Sequence, residues 1–452
     1  MNSRERVLAT LNHVEPDRIP IDFSGHRSSG IAAMAYARLR DCLDLPKKPI
    51  RVYDTVQQLA IVDEDVLQRF QVDTVELGRA FALEDKHWID WVLPDGTPCL
   101  LPSWINIVRD RVNPSTTQPL NSSTLKPLNP LTVQPFNPST LQQFNDSTIQ
   151  PDGGDWVLLA ERSRRPIAKM PAGVWYFEQT HFPFLEGDNL DDLDTAFNEC
   201  MWTAIASPPG PLVDGADGQL LLREGARRLR RETDRAIIGL FGGNLLESGQ
   251  FFYRNDNFFM LLAGEPERAH RFLDKLLERH LVNLDRFLDA VGDSIDIILF
   301  GDDLGMQNGP QVSPAMYREF FQPRERIMWQ RVKQRSPNLK IMLHCCGGVR
   351  ELLDGLIDAG LDTINPVQIT CRGMDPAGLK RDFGSRLTFW GGGCDTREVL
   401  IKGNPAQVRD HVRRLLDIWR PGGGYVFQQV HNILADIPAP NVVAMFDAVI
   451  GG

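Results

Sequence analysis

The sequence predicts an α/β fold, a (β/α)8 TIM barrel, on three observations. Eight short apolar segments recur along the 452 residues, helical patterns fall between them, and polar residues gather at the C-terminal end of nearly every segment. The first segment is RIPIDF (18–23), preceded by a helical pattern over 3–13 with Leu8 and Leu11 on one face and Ser3 placed as its cap. The others are TVELG (74–78), AIIGLFGG (236–243), IDIILFGDD (295–303), KIMLHCC (340–346), TINPVQ (363–368), LTFWGGG (387–393) and GYVFQQVHN (424–432). Helical periodicity is clearest over 266–291, 314–335, 349–359 and 404–419. A doubly wound open sheet is the alternative that the same alternation allows.

Residues 80–190 interrupt the rhythm. HWIDWVLPDGTPCLLPSWINIVRD and DWVLLAERSRRPIAKMPAGVWYFEQ read as antiparallel hairpins, with Asp95-Gly96 as a turn signal. They form a β-hairpin elaboration between the second and third barrel strands of an otherwise single domain spanning 1–452. Inside it runs a low-complexity octapeptide repeat, with Asn at 113, 121, 129, 137 and 145. Its period is too short for helical solenoids, and its prolines remove ladder donors. Few large apolar groups remain to offset the entropy of ordering it. Residues 113–151 are therefore expected to be a disordered insertion at a hairpin tip.

Composition narrows the function. Net charge is −10 with 24% charged residues, which argues against nucleic acid, since phosphate contacts need clustered Lys and Arg. No apolar run is long enough to span a bilayer. The start MNSRERVLATLNH is charged and lacks the apolar core of a secretory leader. Seven cysteines, an odd number scattered without a framework, read as reduced thiols in a cytoplasm. A homodimer is left open.

The strand ends carry the chemistry. In order they present Asp22 with His26 and Arg27, Glu76, Asn244, Asp302 with Asp303, His344-Cys345-Cys346, Asn365, Gln368, Cys394-Asp395, and Gln428 to Asn432. Alternation along IMLHCCGGV (341–349) puts His344 and Cys346 on one side and Cys345 on the other. A His-x-Cys pair offers one nitrogen and one sulfur to an ion such as Zn2+, or else simply packs in a core. Cys345 should face the surrounding helices. His431 and Cys394 are the candidates for a further ligand. Asp302 and Asp303 read either as substrate- or histidine-orienting carboxylates or as caps. Gly391 to Gly393 read as an anion cradle or a tight turn. His270, His280 and His411 fall in helical stretches and read as ordinary histidines.

RERVLATLNHVEPDRIPID (4–22), GDDLGMQNGPQVSPAMYREFFQP (301–323), LHCCGGVRELLDGLIDAGLDTINPVQ (343–368), FWGGGCDT (389–396) and GGYVFQQVHNILADIPAPNVVAMFDAV (423–449) occur in that order. Together they resemble the uroporphyrinogen decarboxylase superfamily, whose fold is a (β/α)8 barrel. The resemblance implies one of two branches. Decarboxylases carry Arg-Gln-Ala-Gly-Arg after the first strand and an Asp in a Phe-Ser-Asp context after the second. Here those places read DFSGHRSSGI, which keeps only Arg27, and VELGR. The other branch moves methyl groups to or from a corrinoid, with zinc held by a His-x-Cys strand and a late cysteine. His344 and Cys346 match the pair, and His431 in QQVHNI stands near the late position.

The resemblance therefore implies Zn2+ on His344, Cys346 and His431 or Cys394. The polar strand ends supply the catalytic candidates Asp302, Asp303 and Glu76, and the cofactor-contact candidates Arg27, Asn244, Gln368 and Gly392. Zinc can hold a thiol as its thiolate, or polarise a methoxy or methylamine group for attack by reduced cobalt. The chain lacks an Asp-x-His-x-x-Gly motif, so the cobalamin is expected on a separate corrinoid protein. The expected partners are that protein and a small methyl donor or acceptor. A decarboxylase of tetrapyrrole biosynthesis and a non-catalytic corrinoid- or tetrapyrrole-binding barrel are the alternatives.

Overall fold

The computed structural model describes residues 1–80, 85–110, 155–203 and 215–451. Seven strands form one parallel sheet: Thr74–Glu76, Ala236–Gly242, Ile297–Gly301, Lys340–His344, Thr363–Asn365, Thr388–Trp390 and Tyr425–Val426. Each pairs with the next in sequence, so the order never reverses as it would in a doubly wound sheet. RIPIDF closes the ring. Ile21 bridges Phe427 in parallel, and Asp73 N donates to Ile21 O at 2.8 Å. The segment makes bridges rather than a full strand partly because Pro20 has no N–H to give.

Alternation sorts the side chains. Ala236, Ile238, Ile297, Leu299, Met342, Trp390 and Val426 fill the barrel interior with Val7 and Leu11 from the helix Ser3–Leu11. Ile237, Ile298, Ile341, Leu343, Ile364 and Phe389 face the outer helices. That first helix is capped by Asn2 rather than Ser3. Asn2 Oδ1 accepts from Glu5 N at 2.8 Å, and the Glu5 carboxylate accepts from Asn2 N at 3.0 Å, a reciprocal box. The helix Pro266–Val291 keeps the bounds its periodicity predicts, with Pro266 at its first turn. The pattern over 314–335 is instead split by a π-helical turn at Tyr317–Phe321 before Gln322–Arg335. Pro323 there cannot donate back to the preceding turn.

The elaboration is built from two small sheets. Trp88–Val92 pairs antiparallel with Pro98–Pro102 across Asp95-Gly96, where Gly96 has φ +88°. Ile50–Asp54 joins that sheet in parallel, a pairing the sequence did not signal. Asn106–Asp110, Asp155–Leu159, Pro166–Met170 and Glu178–Gln179 form the second sheet, with Asp110 opposite Asp155. The octapeptide repeat at 113–151 lies outside the described residues. Among those described, no helix is long and apolar enough to cross a membrane.

Candidate metal and substrate site

Parallel register sets the strand ends level: Gly301 opposes His344, and His344 opposes Asn365. His344 is the last residue of its strand, and Cys346 follows on the same side. Cys346 Sγ lies 3.4 Å from His344 Nε2. Ligand atoms of His344, Cys346 and His431 all fall within 4.8 Å of one another. Cys345 points the other way, into the outer core, where its sulfur accepts from Leu304 N at 3.3 Å. The chain then turns at Gly347, with φ +90°. A Cβ there would meet the Gly305 backbone at 2.2 Å, so no other residue fits.

Hydrogen bonds fix the tautomer of each histidine. Asn365 Nδ2 donates to Trp390 O at 2.9 Å and to Gln428 Oε1 at 2.8 Å, which orients the amide. Its Oδ1 accepts from Ser28 Oγ at 2.7 Å and from His344 Nδ1 at 2.8 Å. The His344 proton is thus on Nδ1, and the Nε2 lone pair faces Cys346. His431 follows the same logic: Nδ1 donates to Asn432 Oδ1 at 2.5 Å, and Asn432 Nδ2 donates to Gln57 Oε1 at 2.9 Å. Gln57 Nε2 in turn donates to Asp54 Oδ2 at 3.1 Å. Carbonyl partners of this kind are what set metal-ligating imidazoles.

Burial pushes His344 down to about 4 and lowers His431, so both are neutral at pH 7, the ligating form. Burial, reinforced by Asp303, raises the Cys346 thiol well above its ordinary value. A cation at this point would reverse that cost. Two imidazole nitrogens and one sulfur, half-buried beside a cavity that His344 and His431 line, match the kind of donor set that zinc takes with an open position.

The cavity has a volume of ≈ 490 Å³, and Arg27, Asn244, Asp303, His344 and His431 line it. Asp303 Oδ1 accepts from Cys346 N at 2.7 Å and lies 3.7 Å from His344 Nε2. Arg27 stands over the Trp202 ring at 5.3 Å, with buried Asp54 at 3.8 Å. Asp302 turns away and accepts N–H groups of Leu245, Leu246 and Glu247 at 3.1, 2.9 and 2.9 Å. It therefore caps the helix Leu246–Tyr253.

The remaining sequence candidates sit elsewhere. Glu76 is buried at the end of its strand and is not part of the cavity lining. Gln368 accepts from Gly347 N and so supports the cysteine turn. Gly392 is a turn glycine at φ +65°. Cys394 lies in the outer core, its sulfur against Asp395 O at 3.9 Å, and it is not gathered with the three ligands.

One feature escaped the sequence reading. Glu247 lines the cavity, and burial, aided by Asp303 and Asp302, raises its pKa well above the usual carboxylate range. The segment FGGNLLESG shows no helical period before it, so nothing marked that residue. Asp22 and His26, both named among the polar strand ends, form a buried pair. Asp22 Oδ2 lies 3.1 Å from His26 Nε2 and accepts from Trp390 Nε1 at 2.8 Å. Burial would raise Asp22, but His26, Thr74 and Trp390 together hold it below its ordinary value.

Behind Asp302, Tyr317 donates its hydroxyl to the fully buried Glu325 at 2.5 Å. Burial pushes Glu325 from 4.5 up to about 8. The fold therefore favours its protonated form. That contribution is complete below pH 4.5 and is lost as pH rises through about 8. Chemical denaturation across this window should show wild-type stability falling relative to Glu325→Gln by a few kcal/mol, an order-of-magnitude figure. Parallel curves for the two proteins would remove Glu325 as the titrating group.

Residues 221–451 match the family model described as Uroporphyrinogen decarboxylase (URO-D). A uroporphyrinogen decarboxylase of Legionella pneumophila (strain Philadelphia 1) is 25% identical over 190 residues, 42% of this chain and 49% of the relative. That of Alkalilimnicola ehrlichii is 28% identical over 254 residues, 53% of this chain and 64% of the relative. The chain thus spans about half the length of the first of these curated relatives. A solved structure, a methyltransferase from Methanosarcina mazei, aligns with TM-score 0.54 at 16% identity over 100% of this chain and 99% of that one. At that identity the likeness is one of fold.

Proposed function

The chain belongs to the uroporphyrinogen decarboxylase (URO-D) family, and on that premise we propose that it is a zinc-dependent methyltransferase. It would move a methyl group between a corrinoid, carried by a partner protein, and a small thiol, methoxy or methylamine compound. The observation that carries this reading is the gathering of His344, Cys346 and His431, with ligand atoms within 4.8 Å of one another, beside the cavity. Zinc bound by them would supply Lewis acidity toward a substrate sulfur, oxygen or nitrogen, and the corrinoid would give or take the methyl.

The chain's own residues have separable jobs. Asn365 and Asn432 hold the two imidazoles with Nε2 toward the site. Asp303 fixes the Cys346 backbone. Glu247 keeps its proton at the cavity wall and can pass it to a departing oxygen or sulfur. Arg27 is available to an anionic end of the substrate.

Decarboxylation is the second reading, favoured by the names of the curated relatives. A substrate with many carboxylates needs several free cations. Of the two arginines lining this cavity, Arg279 is bonded to Asp194 at 2.6 Å, which leaves Arg27 alone to meet an anionic group. The test offers the zinc-loaded protein methylcobalamin and a panel of thiols, with the cobalt–methyl absorption followed. Accelerated demethylation with at least one acceptor is expected. Release of CO2 from uroporphyrinogen with no effect of any corrinoid would favour the decarboxylase.

A further inference from the structure

A second cavity, of ≈ 700 Å³, adjoins the first. The two share Gln57, Trp202, Phe251 and His431, so they meet at a proposed metal ligand. Its character is different. Trp175, Tyr176, Phe182, Trp202, Phe251 and Leu434 give it an aromatic and apolar wall. Trp202 and Phe251 meet edge to face with centroids 6.0 Å apart. Tyr176 and Leu434 are 50% and 51% exposed, an unusual exposure for large apolar groups on one wall. At the shared end, Gln57, Asn432 and His431 are bonded to one another, and among the other polar lining groups Arg254 is paired with Asp256, Gln179 with Phe251 O and Gln250 with Gln311.

We propose that this second cavity binds the aromatic ring of the methylated substrate, which makes the substrate class an aryl methyl ether or thioether. The inference rests on the methyl-transfer reading above. Ring faces and edges suit one another, and the volume falls in the range of small-molecule sites. A substituted ring seated against Trp175 and Phe182 would direct its methylated oxygen or sulfur past His431 into the polar cavity. Short donors such as methanol would leave the second cavity empty.

Calorimetric titration with 2-methoxyphenol tests the ring site without turnover. Trp175→Ala removes part of the wall, and Leu434→Trp fills the space. Each should weaken 2-methoxyphenol binding about tenfold, the order of one lost aromatic contact. Melting temperature, metal content and methylcobalamin demethylation by small thiols should stay as in wild type. If neither variant changes 2-methoxyphenol affinity, the ring site is wrong. It is equally wrong if hydroxocobalamin binding is what depends on Trp175. A wild type that binds the ring but moves no methyl to or from any corrinoid overturns the reaction and not the ring site.

Discussion

Cys346→Ser is expected to abolish metal binding and activity, while Cys345→Ser keeps both. The two residues are adjacent and chemically identical, so only the direction of each side chain separates them. Cys346 faces His344 Nε2 at 3.4 Å, whereas Cys345 is packed in the outer core with its sulfur on Leu304 N. A serine hydroxyl is a poor substitute for a thiolate on zinc. The loss at 346 should exceed the roughly 10–100-fold that follows removal of a mere supporting group. Cys345→Ser places a hydroxyl in an apolar setting, and the cost should appear in melting temperature alone. The check is metal content after dialysis, alongside thermal unfolding of both variants. Retention of metal by Cys346→Ser, or its loss from Cys345→Ser, would contradict the strand geometry.

The second large effect is expected at Asn365, which touches no substrate in this account. Its Oδ1 fixes the Nδ1–H tautomer of His344, and its amide ties Trp390 to Gln428. Asn365→Ala should cost about 10–100-fold in zinc affinity. It should also cost about 1–3 kcal/mol in stability, because Ser28, Gln428 and Trp390 are left with unmet polar groups. Asn365→Asp keeps the acceptor for His344 and should recover much of the affinity. That rescue distinguishes a positioning role from general damage. Competition titration with a chelating dye reads the affinity, and denaturant melts read the stability. Equal zinc affinity in Asn365→Ala and wild type would refute the positioning role.

Strand periodicity made the barrel readable because each strand is buried on both faces and so appears as an apolar run. IDIILFGDD and KIMLHCC are the clearest cases, and they pair in register from Ile297 opposite Lys340 to Gly301 opposite His344. The helix at 246–253 was not readable. It starts on a carboxylate from another strand, Asp302, rather than on a local cap, so no residue beside it announces the start. Ile50–Asp54 was missed for a similar reason: its partner, Pro98–Pro102, is remote in sequence. In the site, alternation alone separates Cys346 from Cys345. Sequence left His431 and Cys394 as equals, because both follow late strands. The fold distinguishes them through the chain path: Cys394 lies in the outer core near Tyr425, whereas His431 is brought to His344 and Cys346. The role of Asn365 was beyond reach, since a hydrogen-bond orientation depends on four partners from separate strands and loops.

X-ray absorption at the zinc edge of the metal-loaded protein reads the ligand set itself. One sulfur at about 2.3 Å, two imidazole nitrogens at about 2.0 Å and an exchangeable light atom in the open position are expected. Adding a thiol substrate should raise the sulfur count to two. A shell of oxygens alone, or two sulfurs before any thiol is added, would contradict the site built from His344, Cys346 and His431.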